Sequence, residues 1–266
     1  RKAGERCLGE IMKIRADIDR YGDYCGLATT PAEIRALREQ GRKAMLIGVE
    51  NAYGLGGDIA NVRRYRDLGA TYITLSWMYD NDVCHSSSHS ADTTLGLTPF
   101  GRKVVAEMNR LGVIIDLSHT SEGTFWDVYR LSKAPFICSH SGASAVWKHD
   151  RNITDRQLRA IAEKDGVIQV YIVPDYMAGR ENWDKVGIDQ SIDHLMHCIK
   201  VAGIDHVGIG ADFDGGGGGW GMNGTNDLIN VTVKLLERGL NEADLAKIWG
   251  GNYLRVMDKV QSLARD

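Results

Sequence analysis

Short apolar runs recur along the chain at Ala44–Val49, Tyr72–Leu75, Val113–Leu117, Phe136–Cys138, Val167–Ile172 and His206–Ile209. They lack polar alternation, so each reads as a strand covered on both faces, as in a parallel sheet. Stretches with helical period lie between them. Cys7, Leu8, Ile11, Ile14 and Ile18 share one face of a first helix, and Ile192, Leu195, Met196 and Ile199 form a stripe that stops before Gly203. Thr30-Pro31 with Glu33 is a capping box with proline at the first helical position, and Thr154 with Gln157 is a second box. Thr98-Pro99 opens a helix with Phe100, Val104, Met108 and Leu111 on one face, which Gly112 ends. The tail from Asn226 to Ala264 reads as two or three helices broken at Gly239 and Gly250-Gly251.

Six strand–helix units joined by short loops call for a parallel α/β fold, which a doubly wound sheet or a barrel would satisfy. Six units do not close a standard eight-stranded barrel, and the chain opens on a helix. Either the sheet is open or two leading units are absent.

Composition narrows the class. The 266 residues are close to the roughly 250 of a (β/α)₈ barrel, so a single domain over residues 1–266 is expected. Hydrophobic residues make up 43% and charged residues 25%, enough apolar mass for a full core. A net charge of −3 without a Lys/Arg run gives no reason to expect nucleic acid. No apolar stretch is long enough to span a membrane, and charges interrupt Arg1 to Tyr21 too often for a signal peptide. Cys7, Cys25, Cys84, Cys138 and Cys198 lack C-x-x-C spacing, against both a Cys-based zinc module and a dense disulfide framework. One bridge, for instance between Cys25 and Cys84, stays open.

Candidate chemistry sits where the apolar runs end. Glu50 ends the first, His119 and His140 follow the third and fourth, and Asp212 follows the sixth. A lone histidine after a strand is usually a satisfied structural residue. A Glu, two His and an Asp at corresponding ends of parallel strands would instead converge on one rim, which in a barrel carries the chemistry. Glu50, His119 and His140 suit Zn²⁺, whose catalytic sites keep three protein ligands and one open position. Gly54-x-Gly56-Gly57 lacks the spacing of a phosphate loop.

At these residues the chain resembles the membrane (renal) dipeptidase family of zinc peptidases, within the amidohydrolase-like barrels. The matching segments are Leu46-Ile-Gly-Val-Glu50, Tyr72-Ile-Thr-Leu75, Leu97-Thr-Pro-Phe-Gly101, Asn109-Arg-Leu-Gly-Val113, Ile115-Asp-Leu-Ser-His119, Ser139-His-Ser141, Arg151-Asn152, Val207-Gly-Ile-Gly-Ala-Asp-Phe-Asp-Gly215 and Gly251-Asn-Tyr-Leu-Arg-Val256. The resemblance implies a (β/α)₈ TIM-type barrel of the metal-dependent hydrolase kind and hydrolysis of dipeptides by a metal-held hydroxide. It implies that Glu50 bridges two zinc ions, that His119 and His140 complete the second zinc site, and that Asp212 manages the proton. Arg151 and Tyr176 match groups that hold the dipeptide's terminal carboxylate.

Two departures stand out. The family begins with a strand carrying His-x-Asp, and none occurs before Glu50. Two leading units of ~30 residues each are therefore expected to be missing, leaving one nearly complete zinc site. Secondly, Trp77 stands where animal members place a substrate-side histidine, and His85 and His89 in the following loop are not expected to replace it. The alternatives are a related hydrolase of another amide, a lactam or a lactone, or a catalytically dead peptide-binding homologue. The expected partner is a dipeptide; a homodimer is left open, and the resemblance leans toward an extracytoplasmic setting.

Overall fold

The computed structural model describes residues 2–265 and starts three helices at the threonines. The hydroxyl oxygen of Thr30 accepts from Glu33 N–H, that of Thr98 from Gly101 N–H and that of Thr154 from Gln157 N–H. Each cap satisfies a donor that the first helical turn leaves without a partner. The helices are α1 (Lys2–Arg20), α2 (Pro31–Glu39), α3 (Ala60–Asp67), α4 (Pro99–Leu111), α5 (Glu122–Leu131), α6 (Asp155–Glu163), α7 (Pro174–Ala178), α8 (Ile188–Ala202), α9 (Leu228–Glu237), α10 (Glu242–Ala246) and α11 (Asn252–Ser262). Gly112 ends α4 in the left-handed region (φ 71°), where a residue without Cβ is unstrained.

Two compact units divide the chain. The first comprises residues 1–135 and 257–266. Its strands are β1 (Cys25–Leu27), β2 (Lys43–Met45), β3 (Ile47–Val49), β4 (Ala70–Thr74) and β5 (Ile114–Asp116). β1 and β2 form a small parallel pair, while β3, β4 and β5 pair in parallel and in chain order, with Val49 opposite Ile73 and Ile73 opposite Ile115. Ile47, Ile73 and Ile115 are buried, as are Val62 and Tyr65 of α3 and Val104 and Met108 of α4.

The second unit comprises residues 136–256. Its strands are β6 (Phe136–Ala143), β7 (Asn152–Ile153), β8 (Val167–Tyr171) and β9 (Val207–Ala211). β6, β8 and β9 are parallel neighbours, with Ile137 opposite Val167 and Ile168 opposite Val207, and β7 adds to the end of β6. Ile192, Leu195 and Cys198 of α8 are buried, as the stripe predicts.

Several expectations need correction. The Ala44–Val49 run is two strands, broken at Leu46, because β2 turns to pair with β1 while β3 pairs with β4. β6 runs on to Ala143, so His140 lies inside a strand rather than after one. The tail breaks at Gly239 and again at Gly250, as expected, where a φ of 157° kinks the chain before α11. All five cysteines are free, so the Cys25–Cys84 bridge is not formed. Among the described residues no helix is long and apolar enough to cross a membrane.

Candidate metal and substrate site

Glu50 leaves β3 directly, and its side chain is 47% exposed. The next residue, Asn51, has φ 75°. Its side-chain oxygen accepts from Tyr53 N–H (3.1 Å) and from the Asn81 amide (2.8 Å), which fixes the turn. His119 follows β5 and is buried, also with a left-handed backbone (φ 68°). Its carbonyl oxygen accepts from Ser87 N–H at 2.7 Å and from the hydroxyls of Ser76 and Ser86 at 3.1 and 3.2 Å. Five side-chain or main-chain groups thus hold the two turns in conformations that L-residues rarely adopt. Such strain persists only where surrounding structure over-determines it. His119 Nε2 lies 3.2 Å from Glu50 Oε1.

His140 is buried within β6, and its Nδ1 lies 2.8 Å from the Ser139 hydroxyl, a contact that restrains the ring. Within the first unit, Glu50 and His119 thus bring a carboxylate oxygen and an imidazole nitrogen to hydrogen-bond distance of each other. A tetrahedral shell with bonds of ~2.1 Å holds its ligand atoms ~3.4 Å apart. The 3.2 Å between the Glu50 carboxylate and the His119 imidazole fits two ligands of a divalent metal of the zinc type.

Asp212 follows β9 at φ 71°, after Ala211 at φ 45°. The Asp212 carbonyl accepts from Gly215 N–H (3.1 Å) and Gly217 N–H (2.7 Å). A Cβ on Gly215 would lie 2.2 Å from the Asp212 carboxylate, so glycine there makes room for the acid.

Arg151 is only 2% exposed. Its Nη2 donates to the His140 carbonyl (3.0 Å), its guanidinium carbon lies 5.7 Å from the centroid of the Tyr176 ring, and its Nε has no hydrogen-bond partner among the described residues. Tyr176 is half-buried and packs on the rings of His149 (4.6 Å) and Tyr171 (5.7 Å). The structure thus brings Arg151 and Tyr176 together.

Trp77 is exposed and borders a cavity of about 740 Å³ with Glu50, Asn51, Tyr53 and residues of α1. The two loop histidines are engaged within their own loop. His85 Nδ1 lies 2.9 Å from the Asp80 carboxylate, and His89 stacks on Tyr79 at 4.9 Å.

Three supporting residues escape the sequence pattern. The Asn152 amide donates to the carbonyls of Trp147 and Tyr176, both at 2.8 Å, and its oxygen accepts from the Tyr171 hydroxyl. His149 Nδ1 accepts from Arg151 N–H. His194 of α8, fully buried, accepts from Ala143 N–H through Nδ1 at 2.9 Å, and burial pushes its pKa down to about 4. His149 stands two positions before Arg151, a clue visible in sequence; nothing in the periodicity of α8 separates His194 from the buried face it occupies.

Parallel strands alternating with helices, with a carboxylate and an imidazole 3.2 Å apart just after β3 and β5, place the chain in the α/β-barrel class. The chain belongs to the membrane dipeptidase family, peptidase family M19, whose model matches residues 1–266. The dipeptidase aclJ of Aspergillus oryzae is 34% identical over 259 residues, 96% of this chain and 61% of its own length. With a similar share for the dipeptidase tcpJ of Claviceps purpurea, the chain spans about three fifths of the curated relatives it matches. Among solved structures, the probable dipeptidase PvdM of Pseudomonas aeruginosa superposes with a TM-score of 0.89 at 30% identity, covering 95% of this chain and 78% of that one. A metallo peptidase of Rhodobacter sphaeroides, liganded with a phosphinate mimic of the dipeptide L-Ala-D-Ala, gives a TM-score of 0.81 at 31% identity, covering 88% and 68%.

Proposed function

We propose that the protein of which this chain is part is a zinc-dependent dipeptidase, with Glu50, His119 and His140 as metal ligands. The observation that carries the proposal is the Glu50 carboxylate 3.2 Å from the His119 imidazole, in a chain of the membrane dipeptidase family; His140 is the third ligand that the family resemblance implies. A bound divalent metal would supply Lewis acidity and a water of lowered pKa. Asp212 takes the proton of the attacking water and returns it to the leaving amine, the exchange expected of a carboxylate placed beside the reacting bond. Arg151 receives the free carboxylate of the dipeptide. Its planar guanidinium matches two oxygens, and its burial strengthens that pairing relative to water. Tyr176 lays its ring against the same guanidinium, while Trp77, beside Glu50 on the cavity wall, offers a ring face to the substrate.

Metal analysis and dipeptide turnover test the proposal together. Glu50→Gln, His119→Ala and His140→Ala should each lower bound zinc and reduce hydrolysis of Ala- or Gly-containing dipeptides by at least ~100-fold, more than loss of an outer-shell partner costs. Full zinc occupancy and turnover in any of the three would remove that residue from the ligand set. If the preparation refills to full activity with another divalent ion and not with zinc, the metal assignment is wrong.

A further inference from the structure

We infer that His149 is a positioning residue that sets the carboxylate clamp formed by Arg151 and Tyr176; the inference rests on that clamp as proposed above. His149 lies between β6 and β7, half-buried. Its Nδ1 accepts from the main-chain N–H of Arg151 at 3.1 Å, a side-chain link two residues forward that closes the turn as an Asx turn would. Because Nδ1 is the acceptor, the neutral ring carries its proton on Nε2. The same ring lies 4.6 Å from the Tyr176 ring at an interplanar angle of 33°.

One imidazole therefore touches both halves of the clamp, the main chain of Arg151 and the aromatic face of Tyr176. Asn152 ties the other side, from its amide to the Tyr176 carbonyl. Arg151 has a long side chain, and its Nη2 contact with the His140 carbonyl is its single side-chain hydrogen bond among the described residues. Where the guanidinium sits thus depends on how firmly its backbone is held, and His149 is the side chain that holds it. Burial also lowers the His149 pKa, with Arg151 adding to the effect and Asp150 and Asp175 opposing it, so Nδ1 stays an acceptor near neutral pH.

The test separates hydrogen bond from ring in the full-length enzyme. His149→Ala removes both, His149→Asn restores an acceptor that can reach the N–H two residues on, and His149→Phe restores the ring alone. The readouts are KM and kcat for a free dipeptide, kcat/KM for its C-terminal amide, and the thermal melt of each variant. Losing one hydrogen bond and one ring contact should raise KM for the free dipeptide about tenfold in His149→Ala, with kcat within about threefold. The amide should be nearly unaffected, and His149→Asn should recover most of the loss. Equal effects on dipeptide and amide, an effect on kcat alone, or no rescue by His149→Asn would overturn the inference. Arg151→Ala is the reference. If it fails to distinguish dipeptide from amide, the clamp itself is wrong; if it does distinguish them and His149→Ala does not, only the role of His149 falls.

Discussion

His194 offers a direct test of how burial couples pH to stability beside the site. Its imidazole is fully buried on α8 and accepts from the N–H of Ala143, the last residue of the strand that carries His140. Burial disfavours the charged ring and pushes its pKa down to about 4, from an ordinary value of 6.5. Below pH 6.5 the unfolded chain binds a proton that the folded chain refuses. Stability therefore rises with pH between about 4 and 6.5, and this contribution is progressively lost as the solution is acidified. One proton corresponds to ~1.4 kcal/mol per pH unit, so the whole window amounts to roughly 3 kcal/mol. The assay is urea unfolding of the native protein and His194→Gln, at intervals from pH 4.5 to 7.5. Glutamine can accept from Ala143 N–H but does not titrate. The variant should be less stable at neutral pH, by about 1 to 3 kcal/mol for altered packing and a weakened hydrogen bond, and its stability should fall less steeply with acid. The difference between the two slopes isolates His194 from the carboxylates and from the other histidines. If both proteins lose stability with the same slope between pH 4.5 and 6.5, His194 is not the group that titrates and the burial argument fails.

Two further outcomes are expected. Asp212→Asn should keep its metal and its fold, since Asn tolerates the left-handed backbone at this position, while kcat falls by at least ~100-fold; loss of metal, measured alongside, would make Asp212 a ligand instead. Ala211→Gly should leave thermal stability unchanged or raise it by up to ~1 kcal/mol by relieving φ 45°, whereas Ala211→Val should lower it, and the opposite order would mean that the turn is not strained.

The hydrophobic pattern located the long parallel strands because burial on both faces leaves them almost wholly apolar, as in β8, and it located helices wherever a threonine cap preceded an apolar stripe. It failed where pairing rather than burial defines a strand. β1 and β7 are three and two residues long, too short to carry a period, and β1 draws β2 away from what reads as one continuous run. Placing His140 after a strand rather than within one has the same origin. Ser139, His140 and Ser141 are polar, the last two buried, yet all lie in β6, so polarity marked an end that the backbone does not make. The candidate ligands were legible because each sits beside an apolar run and because their chemistry is unusual there. Their supports were not. Asn152, Tyr171 and His194 act through contacts between segments distant in sequence, and no local spacing encodes such contacts.

The backbone at the site separates the residues by how they are held. His119 and Asp212 adopt left-handed conformations, and so does Asn51 immediately after Glu50. An extended strand would send successive side chains to opposite faces, so a single left-handed residue at its end breaks that alternation and turns the chain. Glycine adopts the conformation without strain, whereas other residues there cost on the order of 1 kcal/mol or more. A chain arranged for stability alone would place glycine at these turns, as it does at Gly112 after α4. His119 and Asp212 keep an imidazole and a carboxylate in such positions, and the hydroxyls of Ser76 and Ser86, with Ser87 N–H, hold the carbonyl of the first. His140 has no left-handed backbone; it lies within β6, where the register with β8 shifts between Cys138 and Ser141, and Ser139 restrains its ring. The strain at His119 and Asp212 thus falls on the residues proposed to carry the chemistry, as expected when chemistry rather than folding sets the residue.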